Sequence, residues 1–250
     1  MPEEKKKAWF TTWFGSPYYE LLYKERDRQE ADMFIKNIID FLQPSPSCIM
    51  LDIACGKGRH ALSLNKMGYR VTGFDLSEAN IKAAKKYQNE SLDFCIHDMR
   101  KPFMVNYYDI IFNLFTSFGY FENDRENRAV LENIYNALNP QGIFVLDFVN
   151  MDKTLQCLLA DDRRIIDGVE FHISRSITRH GFLEKQIFVE DGPLRYNYEE
   201  RVKIFKQADL KNYVAACGFE IKNIFGDYSL NDFNPAVSDR LILIAKKKAV

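Results

Sequence analysis

The stretch Ile49–Leu62, IMLDIACGKGRHAL, reads as a buried strand, a glycine-bearing turn and the start of a helix. Gly56 and Gly58 remove Cβ where the backbone must come close to a ligand, and the amides at a helix start favour an anion. The run Gly56-Lys57-Gly58-Arg59-His60-Ala61 formally matches G-x-G-x-x-G/A, a pattern that places phosphates on a helix N-terminus. By itself that match does not choose the anion.

Outward from this turn the chain alternates. From Arg28 to Leu42, Phe34, Ile35, Ile38, Ile39 and Leu42 recur at helical spacing, and Pro44 and Pro46 end the helix. After the strand at 48–53, a helical stretch ends at Gly68, a second strand runs over 69–75, and Ser77 stands as N-cap of the next helix. Strands follow at 92–98 and 107–115, then a helix over Arg125–Leu138, the turn NPQG and a fifth strand, IFVLDFV. Such alternation predicts an α/β fold with a doubly wound, parallel sheet. After residue 160 the period changes to two: DGVEFHISRSI, FLEKQIFVE and RYNYEERVKIF, joined by HG and DGP turns, predict an antiparallel insertion. A helix over Gln207–Cys217, capped by Gly218, and the strands FEIKNIF and RLILIAKK return to the first pattern.

With 250 residues, 46% apolar and 14% aromatic, the chain has material for a sizeable core. Its 34 basic and 35 acidic side chains leave a net charge of −1, which disfavours duplex nucleic acid and anionic membranes as partners. Five scattered cysteines without a CxxC pair and four histidines without ligand spacing support no metal site. The basic start, MPEEKKKAWFTTWF, has no apolar h-region, and no apolar run approaches the roughly 18 residues of a membrane span. The expectation is a cytoplasmic protein, without a membrane partner, whose oligomeric state, monomer or dimer, stays open.

Asp52 sits inside the apolar run just ahead of the glycines, where a carboxylate is costly without a partner. It would crowd a phosphate site but could face an amino group. The order D-x-A-C-G-x-G resembles motif I of the class I S-adenosylmethionine-dependent methyltransferases, and later motifs follow in that family's order. VTGFDLS resembles the second-strand motif, in which Asp75, followed by Leu76, would accept both ribose hydroxyls. HDMR resembles the loop where Asp98 approaches the adenine amino group and Met99 packs on its ring. YYDIIFNLFTSFGYF would set Asn113, Leu114 and Phe115 beside the cofactor. Ala54, Gly56, Gly58 and Arg59 would line the methionine end, and Tyr18 or Tyr23 of the aromatic N-terminus would cover it. The resemblance covers roughly residues 30–150 and 207–248.

It implies a mostly parallel seven-stranded sheet of the Rossmann-like methyltransferase type, with an antiparallel β lid after strand five. The core would comprise residues 1–161 and 206–250, including an N-terminal aromatic helical segment, and the lid residues 162–205. The implied reaction is methyl transfer to a small-molecule acceptor, through oxygen or nitrogen, with S-adenosylhomocysteine as product. Phe115, Phe118, Tyr120 and Phe121 suit a sulfonium or an amine through cation–π attraction, and by analogy Asp227 and Tyr228 would line the acceptor side. Arg59 and His60 read as first-turn residues and Cys55 as a packed one; no residue stands out as general base. Two alternatives stay open: an NAD-dependent oxidoreductase, for which an acid at Asp75 would serve equally, and a methyltransferase-like binding module without catalysis. RNA methylation would want a basic surface that the charge balance does not offer.

Overall fold

The computed structural model describes residues 9–24 and 28–248. The basic residues 1–8 of the start lie outside them. In chain order the elements are α1 (Trp9–Trp13), α2 (Pro17–Leu22), α3 (Arg28–Leu42), β1 (Ile49–Ile53), α4 (Arg59–Lys66), β2 (Arg70–Asp75), α5 (Glu78–Ala84), β3 (Leu92–Ile96), β4 (Tyr108–Asn113), α6 (Asp124–Ala137), β5 (Leu138–Val149), α7 (Met151–Gln156), β6 (Asp161–Ile166), β7 (Val169–Ile177), β8 (Phe182–Asp191), β9 (Leu194–Lys203), α8 (Gln207–Ala216), β10 (Phe219–Phe225) and β11 (Arg240–Lys247). No described helix is long and apolar enough to cross a membrane.

The chain divides into two compact units, one formed by residues 27–157 and 205–250, the other by residues 1–26 and 158–204. The larger unit holds a seven-stranded sheet ordered β10-β11-β5-β4-β1-β2-β3. All neighbours pair in parallel except β10 with β11 and β11 with β5. The chain runs from β1 outward to β3, returns to β4 on the other side of β1, and so creates a switch point between β1 and β4, where open α/β sheets bind ligands. The centre of the sheet is apolar on both faces, with Met50, Leu51, Ile53, Ile111, Phe112, Val145 and Leu146 wholly buried. The NPQG stretch is not a turn between elements; it falls inside β5, with Gln141 at φ +66° and the β4–β5 register shifted beside it.

The Phe94 ring on β3 shows how closely these layers meet. A Cβ on Gly58 would come within 2.6 Å of the ring, and one on Gly73 within 2.8 Å. Both glycines make room for one aromatic side chain under the first turn of α4.

The smaller unit is a four-stranded antiparallel sheet ordered β6-β7-β8-β9. It departs from the expected insertion in two ways. It begins before residue 162, because Leu158–Ala160 lead into an edge strand, β6, that charged side chains (DDRRII) disguise. The aromatic N-terminal segment, expected with the core, belongs to this unit instead, since the sheet has an apolar face that must be covered. Trp13, Tyr18 and Leu22 are buried in one cluster with Phe171, Ile173, Ile187 and Val189. Glu200 accepts hydrogen bonds from Trp13 Nε1 at 3.2 Å and the Tyr23 hydroxyl at 2.9 Å, and Lys185 Nζ lies 2.8 Å from its other oxygen. Tyr18 donates its hydroxyl to Asp191 at 3.0 Å.

Lys185 and Glu200 are 23% and 15% exposed, so removing the carboxylate strands a largely buried cation. Glu200→Ala should therefore cost about 3 kcal/mol of stability in a denaturant melt, whereas Glu199→Ala next to it should cost less than about 0.5 kcal/mol. Equal costs would contradict this role for Glu200.

Candidate active site

The turn after β1 is built from left-handed backbone. Ala54, Gly56 and Gly58 have φ of +56°, +57° and +82°. An alanine in this region is strained, and such strain persists where the surroundings hold it. Here three bonds do so: Cys55 N–H donates to Phe74 O at 3.0 Å, Gly58 N–H to Cys55 O at 2.9 Å, and Gly56 N–H to Asp75 Oδ2 at 2.9 Å. The two glycines differ in purpose. A Cβ on Gly56 would meet nothing within 4 Å, so its bare backbone borders open space, whereas Gly58 gives its space to Phe94.

Asp75 links this turn to the next. Its second oxygen accepts from Ser77 N–H at 2.8 Å, and the Asn80 side chain and Leu76 N–H also bond the carboxylate. Burial raises its pKa, with the bonds from Ser77 and Gly56 pulling the other way. Leu76, the next residue, is exposed. Asp52 is 1% exposed and accepts a bond from Ala61 N–H in the first turn of α4 at 3.2 Å. Burial pushes its pKa up to about 7, against the opposing pull of Ala61 N–H and the Arg59 charge. His60 is held neutral by burial and by Arg59, which lower its pKa well below the usual imidazole range.

At the end of β3, Asp98 is not solitary. Arg100 holds both of its oxygens, at 2.7 Å through one amino group, and itself reaches Glu126 at 2.6 Å and lies 4.8 Å over the Phe121 ring. Burial raises the Asp98 pKa, but these bonds outweigh it and the carboxyl stays below its ordinary value. Met99 is anchored through its carbonyl, which accepts from Asn133 Nδ2 at 3.1 Å.

Past β4 the expectation divides. Asn113 is wholly buried, donates to Ser117 O at 3.3 Å, and its Oδ1 accepts no hydrogen bond among the described residues. The Leu114 side chain is part of the apolar core. Phe115 and Thr116 are again left-handed, at φ +62° and +59°. Asp147 on β5 holds them there: its Oδ2 accepts from Phe115 N–H at 2.8 Å and its carbonyl from Thr116 N–H at 2.9 Å. Arg240, at the start of β11, reaches Asp147 Oδ1 at 2.7 Å and Thr116 Oγ1 at 3.0 Å, and Tyr228 donates its hydroxyl to Asp147 Oδ2 at 3.1 Å. The Arg59 guanidinium lies 4.6 Å over the Phe115 ring and that of Arg240 5.7 Å. Desolvation opposes the charge of Arg240, but Asp147 more than offsets it and raises the guanidinium pKa.

The structure thus brings Asp52, Ala54, Gly56, Arg59, Asp75, Asp98, Asn113 and Phe115 to the carboxyl ends of β1–β4. Tyr18 and Tyr23 belong to the other unit, with their hydroxyls on Asp191 and Glu200. Phe118 is core, stacked on Phe205 with centroids 5.8 Å apart, and Asp227 caps its own turn through Ser229 and Asn231 N–H. Asp147, Arg240 and Thr116 have no part in the expected site, although an aspartate inside IFVLDFV is the same anomaly as Asp52 in its strand.

A family model described as a methyltransferase domain matches residues 44–209. Glycine/sarcosine N-methyltransferase of Halorhodospira halochloris is 24% identical over 241 residues, 90% of this chain and 84% of that protein. A crystal structure of an S-adenosylmethionine-dependent methyltransferase from Clostridium acetobutylicum superposes with a TM-score of 0.79 at 20% identity, over 93% of this chain and 96% of that one. That of SAM-bound CalS10, an amino pentose methyltransferase from Micromonospora echinaspora, does so with a TM-score of 0.67 at 20% identity, over 93% and 98%. With the family model spanning more than half of the chain and the motifs placed at the strand ends, the chain belongs to the methyltransferase-domain family, as a class I S-adenosylmethionine-dependent member.

Proposed function

We propose that this protein transfers a methyl group from S-adenosylmethionine to a small-molecule acceptor through an oxygen or nitrogen nucleophile. The observation that carries this reading is the link between the two turns: one carboxylate, Asp75, is fixed by the amide of Gly56 beside the open space that Gly56 borders. The fit extends to the buried Asn113 Oδ1, which accepts no bond among the described residues and stands at the end of β4.

When bound, S-adenosylmethionine supplies an electrophilic methyl on a sulfonium. The protein's share is binding, alignment and the exclusion of water, and alignment of this kind contributes about 7–11 kcal/mol to such displacements. The left-handed backbone at Ala54, Gly56 and Gly58 would hold the methionine carboxylate at the start of α4, beside Arg59. Asp52 would face its amino group, and Asp75, with Leu76 after it, the ribose hydroxyls. Asp98 and Met99 would meet the adenine, and Asn113, Leu114 and Phe115 would line the sulfonium side. Asp98 would do this while its carboxylate also accepts the side chain and the backbone N–H of Arg100. An oxygen nucleophile would need a base, whereas an amine need only arrive uncharged. A relative that methylates glycine and sarcosine, and a structural neighbour that methylates an amino pentose, support a small acceptor.

Incubation with methyl-labelled S-adenosylmethionine and a metabolite extract should place label in the small-molecule fraction. Label appearing only in added RNA or protein would overturn the acceptor class. Asp75→Ala should weaken S-adenosylhomocysteine binding by about a hundred-fold, as expected when two charge-assisted hydrogen bonds are lost.

The raised Asp52 pKa gives a second test. In the folded protein without ligand Asp52 holds its proton up to about pH 7, against 3.8 for an ordinary aspartate, so its ionisation lowers stability as pH rises through that window. A cationic amino group binds the ionised form better. Affinity for S-adenosylhomocysteine should thus rise between pH 6 and 8, by up to about ten-fold per pH unit below the pKa, with proton release at pH 6 that Asp52→Asn abolishes. Calorimetry in buffers of different ionisation enthalpy measures this; no proton release in the wild type would exclude Asp52 from the amino-group role.

A further inference from the structure

Arg100, in the loop after β3, commits every guanidinium nitrogen to one cluster. Its Nε lies 3.0 Å from Asp98 Oδ1 and 3.2 Å from Oδ2, and its Nη2 lies 2.7 Å from Oδ2. Nη1 reaches Glu126 Oε1 at 2.6 Å, and the guanidinium carbon stands 4.8 Å from the centre of the buried Phe121 ring. The backbone N–H of Arg100 also donates to Asp98 Oδ1, at 3.0 Å. A planar fork used in this way fixes the plane of its partner carboxylate, which the single ammonium of a lysine does not.

The anchor for this cluster is α6. Glu126 stands in its first turn, and Asn133, farther along the same helix, donates to Met99 O at 3.1 Å. One helix thus holds both residues that the base of the proposed ligand would meet, Met99 by its backbone and Asp98 by its side chain. Exposed ion pairs contribute little to stability, but Asp98 is only 14% exposed, and what the fork supplies to it is direction. An ionised carboxylate accepts hydrogen bonds and donates none. Burial works against the ionised form of Asp98, and the bonds from Arg100 outweigh it.

We propose that Arg100 is a positioning residue for base recognition: anchored by Glu126 and Phe121, it aims the Asp98 carboxylate as a fixed acceptor that selects a 6-aminopurine over a purine without that amino group. The inference rests on the S-adenosyl ligand proposed above. A cluster that only tied the loop to α6 would affect every ligand of the site alike. One that aims Asp98 affects only a ligand with a donor at position 6 of its base.

Calorimetric titration with S-adenosylhomocysteine, and with its analogue carrying hydrogen in place of the 6-amino group, separates the two. The wild type should prefer S-adenosylhomocysteine by about thirty-fold, as one hydrogen bond to a charged group allows. In R100M the preference should fall to about three-fold or less, through weaker binding of S-adenosylhomocysteine alone, and R100K, which keeps the charge without the fork, should fall with it. E126Q, which leaves Arg100 and Asp98 in place, should show a preference of about ten-fold and gives the reading if R100M does not fold. N133A releases Met99 without touching Asp98 and should leave the preference unchanged. Circular dichroism establishes that each variant is folded. A wild type that binds both ligands equally, a preference that survives in R100M and E126Q, or one that N133A abolishes as well would overturn the inference. A wild type that binds neither ligand would overturn the S-adenosyl reading, and this inference with it.

Discussion

The hydrogen bond from Gly56 N–H to Asp75 ties the ends of two neighbouring strands into one binding surface. Together with the bond from Cys55 N–H to Phe74 O it fixes the left-handed backbone at Ala54 and Gly56 against β2, because a turn with three positive-φ residues in five has few intrinsic reasons to hold one shape. The sheet order puts β1 between β2 and β4, so a group held by that turn has Asp75 on one side and Asn113 on the other. Beneath it, the Phe94 ring fills the places left by Gly58 and Gly73. Packing below and hydrogen bonding above thereby preorganise one loop, and neither alone would.

A second constraint acts beyond β4. Phe115 and Thr116 occupy the left-handed region without being glycines, which is strained for each. Asp147 meets that strain with both its carboxylate and its carbonyl, and Arg240 offsets the buried charge. A buried ion pair contributes little net stability, because desolvation opposes the Coulomb gain, but it specifies geometry. What it specifies here is the direction of Phe115, a ring with the Arg59 and Arg240 guanidinium groups within cation–π range.

The parts of this molecule governed by local pattern were legible in the residues. The β1 turn, Asp75 at the end of β2, the caps at Gly68 and Gly218 and the period-two strands all follow from neighbours in sequence. Elements governed by distant partners were not. Arg240 lies 93 residues from Asp147, and no spacing rule joins them. The aromatic helices α1 and α2 carry no mark of the sheet they cover; Trp13 meets Glu200 across 187 residues. Strand β6 carries no alternating apolar signal, because DDRR is polar and edge strands bury little. Gly58 has the motif's spacing, yet its missing Cβ answers to Phe94, a contact that only the fold reveals.

On the proposed function, the turn at 54–58, tied to Asp75, holds the methionine and ribose of an S-adenosyl ligand. Calorimetric titration of the wild-type protein with S-adenosylhomocysteine, and separately with NAD, addresses it most directly. Saturable, one-to-one binding of S-adenosylhomocysteine and none of NAD is expected. Binding of NAD alone would contradict it and make Asp75 the ribose ligand of a dinucleotide.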